Sequence, residues 1–438
     1  MPEPLRRVDL PDFRRLIPAL HLLRAFWIAV DLRKMVLASM ALVAYSGGSW
    51  LFDQWFLDPQ AVAERELSRW PWQQSLEYHL DRAEAPLAEV VGGLHDPWNT
   101  LQRIGTNWKI GLRPITDVAD PLVKLLSGNA TWFEMAHSTL HLFWGLVVWS
   151  LAGGAMGRMA AVQFARDQQI GIWSGLRYSV RNFGHYFCAT LLPLAGLAGL
   201  WVACAGAGLL GLIPVVGSTL VGIIWGLGLV AGFLMTLILI GVSAGWPLMF
   251  ATINVEGTDG FDGLSRGFNY VYERPLQYLG YAIVCVAFSS FSVFFVWLVT
   301  QLVVYLTALT MAWGLGFEAA RDFMADSPPL VVPRVLMPDV ATGAVKTVGP
   351  GPVLVGIWLR AAAVLVMGFV YSQFWSSTTI IYFLLRRSVD GKELDEIQFV
   401  ADPERDHLQA LMDNGVTPPP QPVSSEQRLA GAPVESLP

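Results

Sequence analysis

Charged side chains are what this sequence has least of. Asp, Glu, Lys and Arg make up 15% of its 438 residues, against about 25% in an ordinary soluble protein. With 54% apolar residues and a mean hydropathy of +0.46, that shortage excludes a soluble enzyme and a disordered chain. No basic excess exists either. The net charge is -6, so the footprint that neutralises phosphate backbones is missing and no nucleic-acid partner is expected. Cysteine is almost absent. Cys188, Cys204 and Cys285 lie in apolar stretches at no metal or redox spacing, which excludes a disulfide framework and reads as small core residues. Walker, dinucleotide, zinc and haem-attachment motifs are lacking. The chain therefore reads as a non-enzyme with no catalytic residue, cofactor or metal.

What is there is a series of long runs free of charge. Lys34 and Asp53 bracket 18 such residues, Glu134 and Arg158 bracket 23, Arg181 and Glu256 bracket 74, Arg274 and Glu318 bracket 43, and Arg360 and Arg386 bracket 25. A bilayer core of roughly 30 Å needs about 20 apolar residues in a helix. The longest run must fold back on itself, and Gly211-Leu-Ile-Pro-Val-Val-Gly217 supplies the turn. The fold class is thus all-α, a polytopic membrane bundle of six spans. The opening MPEPLRRVDLPDFRR is charged and holds prolines, unlike a cleavable signal, so the first span is expected to act as an uncleaved anchor.

Basic residues crowd one set of span ends: Arg24, Arg33 and Lys34, then Arg158, Arg166, Arg177 and Arg181, then Arg266 and Arg274, then Arg386, Arg387 and Lys392. By the positive-inside rule both termini are expected in the cytoplasm, with the protein in a bacterial inner membrane. Arg360, at the opposite end of the last run, is expected to snorkel to the outer surface.

The chain then divides as follows. Residues 1–34 form a cytoplasmic segment in which Leu16, Leu20, Leu23, Trp27 and Val30 share one helical face. Residues 35–56 are span 1, and 57–133 an extracytoplasmic helical cap. Spans 2 to 5 occupy 134–320 as a core bundle. Residues 321–350 are an outer loop, 351–386 span 6, and 387–438 a cytoplasmic and largely disordered tail. An internal parallel repeat covers about 137–210 and 218–317. In it Trp173, Leu176, Val180 and Phe183 match Phe261, Leu264, Phe268 and Val271, each 88 residues on. Each copy reads as span, short amphipathic interfacial helix, span.

Three local patterns carry candidate roles. Small residues recur at every fourth position, Ala195, Gly199, Ala203, Ala207 and Gly211, and face Gly222 and Gly226 of the next span. They are expected to pack spans 3 and 4 closely, with homo-oligomerisation through that surface as the alternative. Span 6 carries a polar cluster, Tyr371, Gln373, Ser376, Ser377 and Thr378, either bonding between helices or lining a path. Glu134-x-x-His137-x-x-x-His141 aligns three metal-ligand types on one face, but a di-iron bundle would need further carboxylates and a second such motif. The histidines are therefore expected to anchor a helix end. Gly263-Leu-Ser-Arg-Gly267 has the nucleophile-elbow pattern without the surrounding α/β context. No acid falls inside a charge-free run, which argues against an ion-driven pump.

Six stretches together resemble a group of uncharacterised multi-pass bacterial membrane proteins: 24–34, Ala161-Val-Gln-Phe-Ala-Arg166, Ile213-Pro-Val-Val-Gly217, Gly245-Trp-Pro-Leu-Met249, 256–266 and 385–396. The Asp262-Gly-Leu-Ser-Arg266 element is similar to the non-catalytic membrane domain attached to some glycerophosphodiester phosphodiesterases. This resemblance implies an architecture and no activity. The expected function is a non-enzymatic scaffold or accessory subunit of a membrane assembly, touching the lipid bilayer and a protein partner. The alternative is a passive small-solute transporter or channel with its path between the two repeats.

Overall fold

The computed structural model describes residues 18–56, 70–71, 98, 102, 104–105, 108–127, 131–214, 216–316 and 350–397. The start of the N-terminal segment, most of the expected cap, the outer loop and the end of the tail lie outside the described residues. Within them the chain forms ten α-helices and no strand. A 3-10 turn, Pro18–Leu23, leads into α1 (Arg24–Ala29) and α2 (Leu32–Phe56). Then come α3 (Lys109–Leu126), α4 (Trp132–Arg166), α5 (Ile172–Arg181), α6 (Phe183–Leu209), α7 (Gly217–Glu256), α8 (Gly260–Glu273), α9 (Pro275–Leu315) and α10 (Pro350–Asp390). Six of them, α2, α4, α6, α7, α9 and α10, are long and apolar enough to cross a membrane, as in a multi-pass membrane protein.

The helix ends follow from local chemistry. Thr131 and Glu134 form a reciprocal capping box at the start of α4, and Asp259 caps α8 by accepting from the Asp262 amide at 2.8 Å. α4 stops at Asp167 and α7 at Gly257, both with left-handed backbone (φ 52° and 62°), a conformation that turns the chain sharply and satisfies the last carbonyls. Each corner leads into a short helix, α5 or α8, and then a long one. The α6–α7 turn is a 3-10 turn at Leu210–Leu212 with α7 starting at Gly217.

All six candidate spans share one end, where the starts of α2, α6 and α9 meet the ends of α4, α7 and α10. Side chains join them there. Lys34 Nζ donates to Gln163 Oε1 at 2.7 Å, Tyr270 OH to Asp390 at 2.5 Å, and Arg24 meets Asp167 at 2.5 Å. Glu256 is the hub of this end. It faces Arg266 at 2.5 Å, Arg386 at 3.1 Å and Lys392 at 3.6 Å, and accepts from Tyr382 OH at 2.9 Å. We call this the ion-pair end.

Packing is uneven along the bundle. The last helix is buried almost continuously between Gly368 and Leu385, and Trp375, Phe250, Trp246 and Tyr186 interlock around it. Toward the opposite end α7 is largely exposed, with Ile223, Trp225, Leu227 and Phe233 all pointing outward, apolar surface that in a membrane meets lipid. Cys188 is also exposed on α6 rather than in the core, while Cys285 is buried. In the N-terminal segment Leu23, Trp27 and Val30 are exposed, whereas Leu22, Ala25, Ile28 and Ala29 are buried. That segment is apolar on two sides, one of them docked through Ser372 Oγ, which donates to Ala29 O at 2.8 Å.

Close helix approaches occur at particular glycines. A Cβ on Gly368 of α10 would lie 2.5 Å from the Met35 carbonyl of α2, and one on Gly154 of α4 would lie 2.5 Å from Ser179 Oγ of α5. Gly263 and Gly267, from the elbow-like pattern, abut Met249 of α7, so they serve a helix crossing. By contrast Gly199, Gly222 and Gly226 have nothing within 4 Å of a built Cβ, and Gly211 only touches Val221. Gly368→Ala is expected to lower the yield of folded protein sharply, because the clash is with backbone and two helices must separate. Gly226→Ala is expected to leave it unchanged. Size-exclusion profiles of the two variants in detergent check this, and equal profiles would contradict the close contact.

Candidate functional site

The helix α3 positions the site. Its sequence, KIGLRPITDVADPLVKLL, places Ile110, Gly111, Pro114, Val118 and Pro121 on an inward side, and all but Val118 are buried. Instead of lying as a lid across the bundle, α3 stands among the long helices and packs on α4, α9 and α10. A Cβ on Gly111 would sit 3.2 Å from Ser289, well inside α9. This placement carries Asp117 to the middle of α2 and α10, where Tyr45 OH donates to the Asp117 carbonyl at 3.1 Å and Tyr371 OH donates to its carboxylate. An acid does therefore reach the interior, delivered from outside the charge-free runs.

Around it lies a cavity of about 320 Å³, walled by α2, α3, α4 and α10. α2 contributes Tyr45, Ser46, Ser49 and Asp53; α3 contributes Asp117, Asp120 and Lys124; α4 contributes His137, Ser138 and His141. Tyr371 closes the inner side, its ring stacked on Trp149 at 4.8 Å between centroids and 3° between planes. Beyond that stack is the solid aromatic packing around Trp375. Asp117 is surrounded by helices with one side toward the cavity. Burial pushes its carboxyl from 3.8 up to about 6, against the pull of the Tyr371 hydrogen bond and of Arg113 one turn away.

The histidines are wall residues rather than a helix-end anchor. His137 Nε2 lies 2.8 Å from Asp53 Oδ1, both almost fully buried, and His141 meets Ser49 Oγ at 2.8 Å and Tyr45 OH at 3.3 Å. Glu134 points away into its capping box, so the three aligned ligand types do not converge. Among the described residues no group of three His, Cys, Asp or Glu is arranged to hold a metal ion.

Of the polar cluster on α10, Tyr371 alone lines the cavity. Thr378 is turned back onto its own helix, donating to Phe374 O at 2.9 Å. Gln373 and Ser376 are buried with no hydrogen-bond partner for their side-chain atoms among the described residues, and Ser377 lies against the buried Cys285 thiol. They sit in the packed half, and the structure does not join them to the cavity. Spacing on one helix cannot separate these residues, because the division depends on which neighbour each one faces. The signal that does exist in the sequence is Asp117 with Asp120 and Lys124, a charged edge beside the buried Pro114 and Pro121 of an 18-residue helical segment.

The other side of α3 faces a second cavity, of about 390 Å³, between α3, α4 and α6 and lined by Leu122, Leu125, Leu142, Leu194 and Trp201 among others. One short helix thus divides a polar chamber from an apolar one. No known protein family, curated protein or solved structure matches the chain.

Proposed function

We propose that the protein is a passive, non-catalytic transporter of a small polar solute, with the α2–α3–α4–α10 cavity as its solute site. One observation supports this reading above the others: a chamber of ionisable side chains begins near the Asp53 end of α2 and the His137 start of α4 and reaches inward to Tyr45, Asp117 and Tyr371, midway along α2 and α10, helices long enough to cross a bilayer. Polar groups at that depth are costly unless they face one another, water or a ligand. The path expected between the two repeats is replaced in this proposal by one beside α3, with the Trp149–Tyr371 stack as the barrier that must open.

The proposal places the ion-pair end in the cytoplasm of an inner membrane. Arg33, Arg166, Arg177, Arg181, Arg266, Arg274, Arg386 and Arg387 all belong to it, in keeping with the positive-inside rule.

Cysteine accessibility tests the transport reading. Ser138→Cys, in a background whose three native cysteines are alanine, is treated with an impermeant thiol reagent in sealed vesicles of known orientation. Transport predicts modification from either face. Modification from one face only would overturn it, and protection from both would return the chain to a structural role.

A further inference from the structure

The wall of the cavity says more than that it is polar, and the following rests on the reading of that cavity as a binding site. Its carboxylates outnumber its ammonium. Asp53 is matched by His137 at 2.8 Å. Asp117 receives a neutral phenol hydrogen bond from Tyr371, and the cation acting on it is Arg113, one turn back on α3 and off the cavity wall. Asp120 lies one turn farther along α3, and Lys124 is the one lysine on the wall.

Two hydroxyls point to a ligand. Ser46 and Ser138 are 5% and 3% exposed, line the cavity, and form no hydrogen bond with the described residues. Most Ser and Thr hydroxyls inside these helices do bond, to the carbonyl one turn back: Ser49 to Tyr45 O at 2.8 Å, Thr379 to Trp375 O at 2.8 Å. Ser150 and Ser376 also lack a partner but are sealed in the packing, whereas the hydroxyls of Ser46 and Ser138 border the cavity and are free to bond to what fills it.

Size and shape narrow the class. A cavity of about 320 Å³ is far larger than a bare metal ion and falls at the small end of organic-ligand pockets, roughly 300–1,000 Å³. Two phenol rings, Tyr45 and Tyr371, form part of its lining, and aromatic faces attract cations.

We propose that the cavity binds a small organic ammonium ion, its charge opposed by Asp117 and Asp120 and its N–H groups donated to the hydroxyls of Ser46 and Ser138. Protons then compete with the ligand. The groups around Asp117 are Arg113 and Asp120 on α3, Tyr45 on α2, His141 with His137 on α4 and Tyr371 on α10; α9 meets α3 lower down, where Ser289 faces Gly111. Acidification neutralises the Asp117 carboxyl and so weakens ammonium binding.

The experiment is titration calorimetry of the full chain in lipid nanodiscs with propylammonium, 1-propanol and propionate, compounds of similar size and different charge. Propylammonium is expected to bind at pH 8 and to bind about tenfold more weakly at pH 5, one unit below the Asp117 midpoint of about 6. Asp117→Asn is expected to lose about tenfold or more at pH 8, on the order of one removed charge–charge contact. Should that variant fail to fold, Asp120→Asn, at an exposed position, is expected to weaken binding several-fold by the same logic. Equal binding of 1-propanol would overturn the proposal, as would preferential binding of propionate, which would assign the site to an anion on Lys124 and the histidines. Absence of binding by all three would also overturn it. Ammonium binding with cysteine access from one face alone sinks only the transport reading, and access from both faces without ammonium binding sinks only this one.

Discussion

Glu256→Ala is expected to destabilise the protein by about 3 kcal/mol or more, the usual cost of stripping one partner from a buried ion pair. Arg386 is the reason. Its side chain is 6% exposed, and the Glu256 carboxylate lies 3.1 Å from its Nε. Glu396 supplies the remaining contacts, its carbonyl at 2.7 Å and its carboxylate at 3.4 Å, which sets the expectation at the low end of the range. Arg266 loses its 2.5 Å partner too, but it is 32% exposed and still reaches Asp262, so water and Asp262 soften that loss. The double variant Glu256→Ala, Arg386→Met should recover part of the stability, because an apolar pair leaves no buried charge unmatched. Thermal unfolding in detergent measures both. A single variant within about 0.5 kcal/mol of the parent, the range of ordinary surface changes, would show that the hub does not hold α7, α8 and α10 together.

This hub and the cavity differ in how far the sequence announces them. The spans are legible because charge is excluded from a bilayer core, so some residues that end a run also end or flank a helix: Arg274 precedes α9 and Glu256 closes α7, whereas Arg158 and Arg360 lie inside α4 and α10. The 211–217 break is legible from proline and glycine chemistry alone. Partnerships are not. The every-fourth small residues of α6, Ala195, Gly199, Ala203 and Ala207, describe one face of one helix, and at Gly199 that face meets open space, whereas the tight contact at Gly368 belongs to no periodic pattern. Asp117 is hidden for a related reason. A segment holding Pro114, Pro121, two aspartates and two lysines looks like surface structure in any window that scores apolar continuity. Only the tertiary arrangement reveals that its polar face is turned inward, toward His141 and Tyr371 across a chamber.

Asp117→Asn is expected to make the protein more stable at pH 8 and no more stable near pH 4. The sign follows from linkage. Asp117 titrates near 6 when folded against 3.8 for an ordinary aspartate, mainly because burial disfavours the carboxylate. A group whose folded value is raised contributes stability that is complete below 3.8 and is lost as pH climbs through about 6. Above that point the ionised carboxylate is a burden of about 2 kcal/mol, less than the full conversion at 1.36 kcal/mol per unit because one side meets the cavity. Asparagine keeps an oxygen to accept from Tyr371 OH and carries no charge, so it removes the burden without removing the hydrogen bond. Unfolding midpoints of parent and variant across this pH range should converge in acid and part by a few degrees at pH 8. Parallel curves would place Asp117 in contact with water and withdraw the raised value. Convergence would have a functional consequence: an acid that weakens the fold at neutral pH is the kind of group found where charge is needed for a ligand. The variant that gains stability is the same one expected to lose the ammonium ion.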